Sequence, residues 1–370
     1  MTRVLSDLRT GRGFLQQIAA LLAEGPRRSN FFEALKSERR LALVEEVAAR
    51  VASSVPDRGA FPEELSGYQV YAGDGHWHAA ASHEEPIDGQ LWAAGHLYAL
   101  NLRTRALHHL DMAEGRKEHD MHALKRLGAQ ALRMGAKKGR KCLWIWDRAG
   151  LDYELWRQWK QSSGIYFISR TKENRAFAQQ AIRPFDLNDP VNRGILSDQI
   201  VRTERGVELR MVQYINPLDG NLYEFITSVF DLPPGLIAWL YHRRWDIEKA
   251  FDQFKNKLFE SKAWGTTATA KRIHAKLLCL THNLLDLFEL RLNIDHDIRN
   301  QAELARQKSR LARNLSALAD RRLSLSSLYT RFVQPLQRSL KLLRWLRAHW
   351  SSSSPLSQLL PHLRRLYAEL

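Results

Sequence analysis

Three acids and a set of polar residues at helical spacing are the parts of this sequence that could do chemistry. Asp74 follows the short apolar run Tyr68 to Tyr71 in Gly73-Asp74-Gly75, and Asp147 follows the dense apolar run Cys142 to Trp146. Each run reads as a strand, so each acid stands at a predicted strand end. Glu248 lies in a predicted helix that opens at Pro233-Pro234-Gly235 and runs to about Leu258. Divalent cations take hard oxygen ligands, and a two-ion site needs several carboxylates converging from different elements. Strand-end acids on neighbouring strands plus a helix acid meet that need. In-line attack on a phosphodiester uses one ion to activate water or a 3′-hydroxyl and the other to stabilise the leaving oxygen. Each residue alone also has a plainer reading. A turn Asp is often only a turn residue, and Arg244 with Glu248 has the spacing of an ordinary i,i+4 pair.

The helix around Glu248 adds to this. At about 100° per residue, Tyr241, Arg244, Glu248 and Lys255 fall within an arc of about 60°. Leu240, Ile247, Phe251, Phe254 and Leu258 form an adjoining apolar stripe. A carboxylate, two cations and a phenol are thereby set at the rim of a core, where polar groups are expensive unless paired or functional.

The surrounding pattern shows what must position these residues. Residues 1 to about 55 read as helical, with Ser29 or Asn30 as a plausible cap, and residues 56–66 as a linker. Strands at Tyr68 to Tyr71, Leu91 to Leu102 and Ala106 to Leu110 predict an antiparallel start. A helix over His119 to Met134, a buried strand over Cys142 to Trp146, a helix near Tyr153 to Gln161 and a strand Ile165 to Ser169 follow. The order β-β-β-α-β-α predicts an α/β fold. Val201 to Arg205, Glu208 to Ile215 and Leu222 to Val229 alternate apolar and polar, so residues 173–232 read as a β-rich insertion. A helix over Thr269 to Arg291 precedes a basic helical tail. The regions expected are therefore 1–60, 68–172, 173–232, 233–295 and 296–370.

Charge narrows the class of partner. The chain of 370 residues carries net charge +16 with a pI near 10.0, which suggests a polyanion: nucleic acid first, an anionic membrane second. From Arg299 to Leu370 there are fourteen Lys or Arg against Glu303, Asp320 and Glu369, a net +11. An excess this one-sided weighs against a merely solvated surface. Cys142 and Cys279 lie apart in apolar runs with no Cys-x-x-Cys pair. That suggests reduced core residues in a cytosolic protein rather than a zinc or disulfide framework. No run of 18 apolar residues occurs.

The helix resembles the Tyr-(2)-Arg-(3)-Glu-(6)-Lys signature of the insertion-sequence transposases of the "IS four" group, matched by Tyr241, Arg244, Glu248 and Lys255. Gly73-Asp74-Gly75 and Trp144-Ile145-Trp146-Asp147-Arg148-Ala149 resemble that family's segments holding the first and second catalytic Asp, and Tyr166 to Arg170 resembles the strand that follows. The likeness spans about residues 68 to 290. It implies an RNase H-like mixed sheet flanked by helices, a β-rich insertion between Asp147 and Glu248, and helical terminal regions. It further implies that Asp74, Asp147 and Glu248 hold two Mg²⁺, with Mn²⁺ as a substitute, and that Tyr241, Arg244 and Lys255 grip DNA phosphates. Relatives excise through a hairpin with a flipped base on which an aromatic residue stacks; Trp245 could pack or stack. The implied partners are double-stranded DNA, as terminal inverted repeats and target, and a second copy of the chain in a synaptic homodimer, in the bacterial cytoplasm at the nucleoid.

One departure stands out. Where the family has Thr or Ser soon after the first Asp, this chain reads Asp74-Gly75-His76-Trp77-His78. His76 could hydrogen-bond near the site or reach a metal, although a lone His is more often structural. His76, His78 and His83 have zinc-like spacing but no matching Cys. The alternative function is a host-adopted or degraded relative that binds DNA without cutting, against which the intact Asp74, Asp147 and Glu248 weigh.

Overall fold

The computed structural model describes residues 13–16, 19, 27–58, 61–115, 118–171, 177–260, 262–330, 339–350 and 352–368. Most of residues 1–26, expected to be helical, therefore lie outside the described residues. Helix α1 (Arg28–Leu35) and helix α2 (Glu38–Ser54) follow. Ser37, rather than Ser29 or Asn30, supplies a side-chain cap, accepting from the Arg40 amide.

Strands β1 (Tyr68–His78), β2 (Ala94–Asn101) and β3 (Leu107–Met112) form the antiparallel start. Helix α3 (Asp120–Leu132), strand β4 (Lys141–Ile145), helix α4 (Tyr153–Ser163) and strand β5 (Ile165–Arg170) complete the β-β-β-α-β-α order. Residues 177–232, expected to be a β-rich insertion, hold β6 (Ala178–Ile182), β7 (Ile195–Arg202), β8 (Glu208–Ile215) and β9 (Leu222–Thr227). The nine strands among the described residues make one sheet in the order β3-β2-β1-β4-β5-β9-β8-β7-β6. The inner strands β1, β4 and β5 are parallel, and the other pairs are antiparallel. This is a mixed α/β architecture with the RNase H-like strand order, and β9, β8, β7 and β6 prolong its sheet beyond β5.

Side-chain alternation fixes the two faces. Val70 and Ala72 of β1, Leu143 and Ile145 of β4, and Ile168 of β5 join one core with Ile237, Leu240, Ile247, Phe251 and Phe254. Tyr71, Cys142, Trp144 and Phe167 join the opposite core with Leu124, Leu132 and Trp156. Buried on both faces, β4 is a continuous apolar run, as its central parallel place requires. Both cysteines are buried and unpaired.

The helix expected over residues 235 to 258 is divided. Helix α5 (Pro234–Arg243) and helix α6 (Trp245–Asp252) meet at Arg244, whose φ −54° and ψ −37° remain helical. A π-helical turn then covers Gln253–Lys257, closed by the Leu258 amide on the Gln253 carbonyl at 2.9 Å. Such turns interrupt α-helices with one wider ring, so a constant 100° step does not hold as far as Lys255. Helix α7 (Ala268–His296) runs beyond its expected end and carries buried Ile273, Leu278 and Leu285. Among the described residues four more helices follow: α8 (Gln301–Asp320), α9 (Ser327–Thr330), α10 (Leu340–His349) and α11 (Leu356–Ala368). No helix among the described residues is long and apolar enough to cross a membrane.

Candidate active site

Backbone register brings the two aspartates together. Ala72 pairs with Ile145 in the parallel β1–β4 ladder, and Asp74 and Asp147 each lie two residues further on. Period-two alternation turns both toward the face that packs on α5 and α6. Asp74 does not end its strand, contrary to expectation. Pairing with β2 carries β1 on to His78, while pairing with β4 stops at Ala72. Asp74 therefore sits where the sheet splits, and Asp147, in extended conformation, caps the short 3-10 turn Arg148–Gly150 and accepts from the Arg148 amide at 2.6 Å.

Glycine makes this approach possible. A Cβ at Gly73 would stand 2.2 Å from the Trp146 ring, and one at Gly75 would stand 2.9 Å from an Asp120 carboxylate oxygen. Trp146 stacks on Trp144, with centroids 5.3 Å apart, so the residue before Asp147 is held by the core.

Arg244 links the helix to the strand. Its side chain is 6% exposed and lies 3.1 Å from Asp74 Oδ2 and 2.7 Å from Glu248 Oε1. Burial opposes its charge, but Asp74, Tyr241 and Glu248 more than compensate and hold its pKa above the ordinary arginine value. Asp74 is pushed up to about 6, chiefly by burial; Arg244 pulls it down, while Glu248 and Asp120 push it up. Tyr241 is buried against Phe225, with ring centroids 5.0 Å apart. Burial raises its pKa, with Arg244 lowering and Asp147 raising it. Trp245 is 55% exposed, with the Arg244 guanidinium 5.5 Å from its ring. Lys255 is exposed on the π-turn.

His76 packs rather than reaching toward the carboxylates: its ring stacks on Phe251, with centroids 4.6 Å apart and planes 17° apart. Burial first, and Lys255 second, lower its pKa to about 4, so it is neutral at pH 7. His78 donates to or accepts from Tyr98 at 2.9 Å in the core.

Two further residues belong to the site, and neither stands out in the sequence. Ile145 pairs with Ile168, so Arg170 stands two residues on, in one row with Asp74 and Asp147. Its charge also acts on Tyr241. Asp120, in the first turn of α3, approaches β1 from behind through the gap left by Gly75. Burial raises its pKa, and Asp147 raises it further. Counting forward in register finds Arg170; Asp120 needs the tertiary fold.

The donor set is all carboxylate oxygen, suited to hard divalent cations. The fit is in chemistry and position: two aspartates level on neighbouring strands, with the helix glutamate tied to the first through Arg244. Among the described residues, no three His, Cys, Asp or Glu side chains are drawn into one tight ligand shell, because the Arg244 guanidinium lies between Asp74 and Glu248.

The family model described as "Transposase DDE domain" matches residues 96–284, just over half of the chain. The chain belongs to the DDE transposase domain family. The matched span includes Asp147 and Glu248 of this DDE transposase and begins 22 residues after Asp74. Membership carries a metal-dependent DNA transposition activity, with DNA as substrate. No curated protein sequence matches the chain.

Proposed function

We propose that this DDE transposase is the enzyme of an insertion sequence of the "IS four" group, which binds terminal inverted repeats and excises and joins DNA by cut and paste. The observation that carries the reading is the level pair Asp74 and Asp147 facing the helix that bears Glu248. These three residues would hold two Mg²⁺, with Mn²⁺ able to substitute. When bound, the ions would supply an activated water or 3′-hydroxyl and stabilise the leaving oxygen.

The protein's own groups do the rest. Asp74, with its pKa near 6, is mostly ionised at pH 7 and so available as a ligand. Arg244 offsets the repulsion between Asp74 and Glu248 and keeps both carboxylates in place. Tyr241, Arg244 and Lys255 grip phosphates beside the site, and exposed Trp245 offers its ring face to an unstacked base. The enzyme acts as a homodimer that brings two ends together, in the bacterial cytoplasm at the nucleoid.

The test uses a supercoiled plasmid carrying the element's own two ends. With purified protein and Mg²⁺, double-strand breaks should fall at the outer edges of the repeats and none should form in EDTA. Breaks scattered without regard to the ends would overturn the insertion-sequence reading.

A further inference from the structure

Helix α8 has two chemically opposed sides. With Gln301 at 0°, Leu304, Leu311, Leu315 and Leu318 fall at about 260° to 320°, and Arg306, Arg310 and Arg313 at about 120° to 180°. Leu318 is buried, and Leu304 lines a cavity shared with Leu292 and Ile298. The leucine side therefore meets the protein at Leu304 and Leu318, while Leu315 stays 38% exposed, and the arginine side is open to solvent at Arg310 and Arg313. All three arginines are exposed. Arg306 reaches back to Glu303 at 3.6 Å with 64% of its side chain open; Arg310 and Arg313 make no ion pair among the described residues.

A helix surface built only for solubility intersperses acids with its bases at i,i+4 spacing. Between Ala305 and Ala319 this one contains no acid. Its start lies close to the signature segment, because Asn300, Glu303, Leu304 and Arg306 wall the same cavity as Lys257, two residues past Lys255. At about 1.5 Å rise per residue, Arg306 to Arg313 spans about 10 Å, roughly three base-pair steps at about 3.4 Å per step on one strand.

We propose that Arg306, Arg310 and Arg313 of α8 form a contact surface for the backbone of double-stranded DNA, holding the duplex outside the catalytic centre without reading its sequence. The proposal rests on DNA being the substrate of the site described above. Its occupant is set by charge complementarity: a row of exposed guanidinium groups facing a dense line of phosphates.

The experiment measures affinity of the full chain for a fluorescent mixed-sequence duplex across a salt series. Removing one arginine–phosphate pair lowers the slope of log affinity against log salt by about 0.9. The variant R306Q/R310Q/R313Q should reduce that slope by about 2.7, while R306K/R310K/R313K should keep it. If the triple variant does not fold, Arg310→Gln and Arg313→Gln should each reduce the slope by about 0.9. An unchanged slope in folded Gln variants overturns the α8 proposal and leaves the transposase reading standing. A wild-type protein with no salt-dependent duplex binding overturns both.

Discussion

The guanidinium of Arg244 stands 3.1 Å from the carboxylate of Asp74, across 170 positions of sequence. The same guanidinium holds Glu248 at 2.7 Å. One buried cation thus joins the strand acid to the helix acid.

Removing that cation should move Asp74. Arg244 is the largest influence drawing its pKa down from a value raised by burial. In Arg244→Gln, the acid limb of the cleavage profile should shift to higher pH, because Asp74 would hold its proton longer. Arg244→Lys should correct only part of the shift, since an ammonium cannot serve two carboxylates as a planar fork does. Single-turnover cleavage from pH 5 to 9 measures this, and an acid limb unmoved in Arg244→Gln would contradict it.

Acid should destabilise the fold through its histidines. Burial lowers the pKa of His76 to about 4, His96 to about 3 and His108 to about 4, and holds His78 and His109 well below the ordinary value. The unfolded chain binds these protons near pH 6.5, so their stability is present above that pH and lost as pH falls below it. Asp74 acts in the opposite sense. With a raised pKa, its contribution is full below about pH 4 and lost as pH rises through about 6. His242 shifts in the same sense as these histidines and Asp120 in the same sense as Asp74, so the histidines outweigh the aspartates. Net proton uptake on unfolding should reach roughly four between pH 4 and 6, at about 1.4 kcal/mol per proton per pH unit. Urea unfolding in EDTA at pH 7, 6 and 5 should show a steep loss; a flat profile contradicts this role of the buried histidines.

Gly73 is a steric test of the site. In Gly73→Ala the new methyl would overlap the Trp146 ring, which is fully buried and stacked on Trp144. The ring cannot yield without moving Asp147, its neighbour in sequence. The substitution should cost about 1 to 3 kcal/mol and abolish cleavage, while Gly67→Ala, with open space around it, should leave cleavage unchanged. Denaturation midpoints and cleavage rates check both.

Much of this arrangement is legible in the sequence. The apolar run Cys142 to Trp146 reads as a buried strand, and the spacing of Tyr241, Arg244 and Glu248 marks one face of a helix, while the π-turn takes Lys255 out of that count. What escapes is set by partners distant in sequence. His76, Trp77 and His78 carry no simple alternation, so the sequence ends β1 early; its pairing with β2 extends it. Strand β6, Ala-Gln-Gln-Ala-Ile, is exposed along its whole length and has no apolar face to read. Arg170 joins the aspartates only through the register of β4 and β5. The π-turn at Gln253–Lys257, with Gln253 fully buried, answers packing that a helical wheel does not contain.

The central claim is that Asp74, Asp147 and Glu248 are the cutting residues, as distinct from the residues that bind DNA. The most direct measurement compares wild type with Asp147→Ala on duplex DNA carrying the element's terminal repeats in Mg²⁺, scoring binding by gel shift and cleavage on a denaturing gel. Asp147 accepts its hydrogen bond from the adjacent Arg148 amide, a local contact, so the fold should survive its removal. Wild-type binding with cleavage reduced below detection is the expected result. Cleavage by Asp147→Ala at the wild-type rate would contradict the claim.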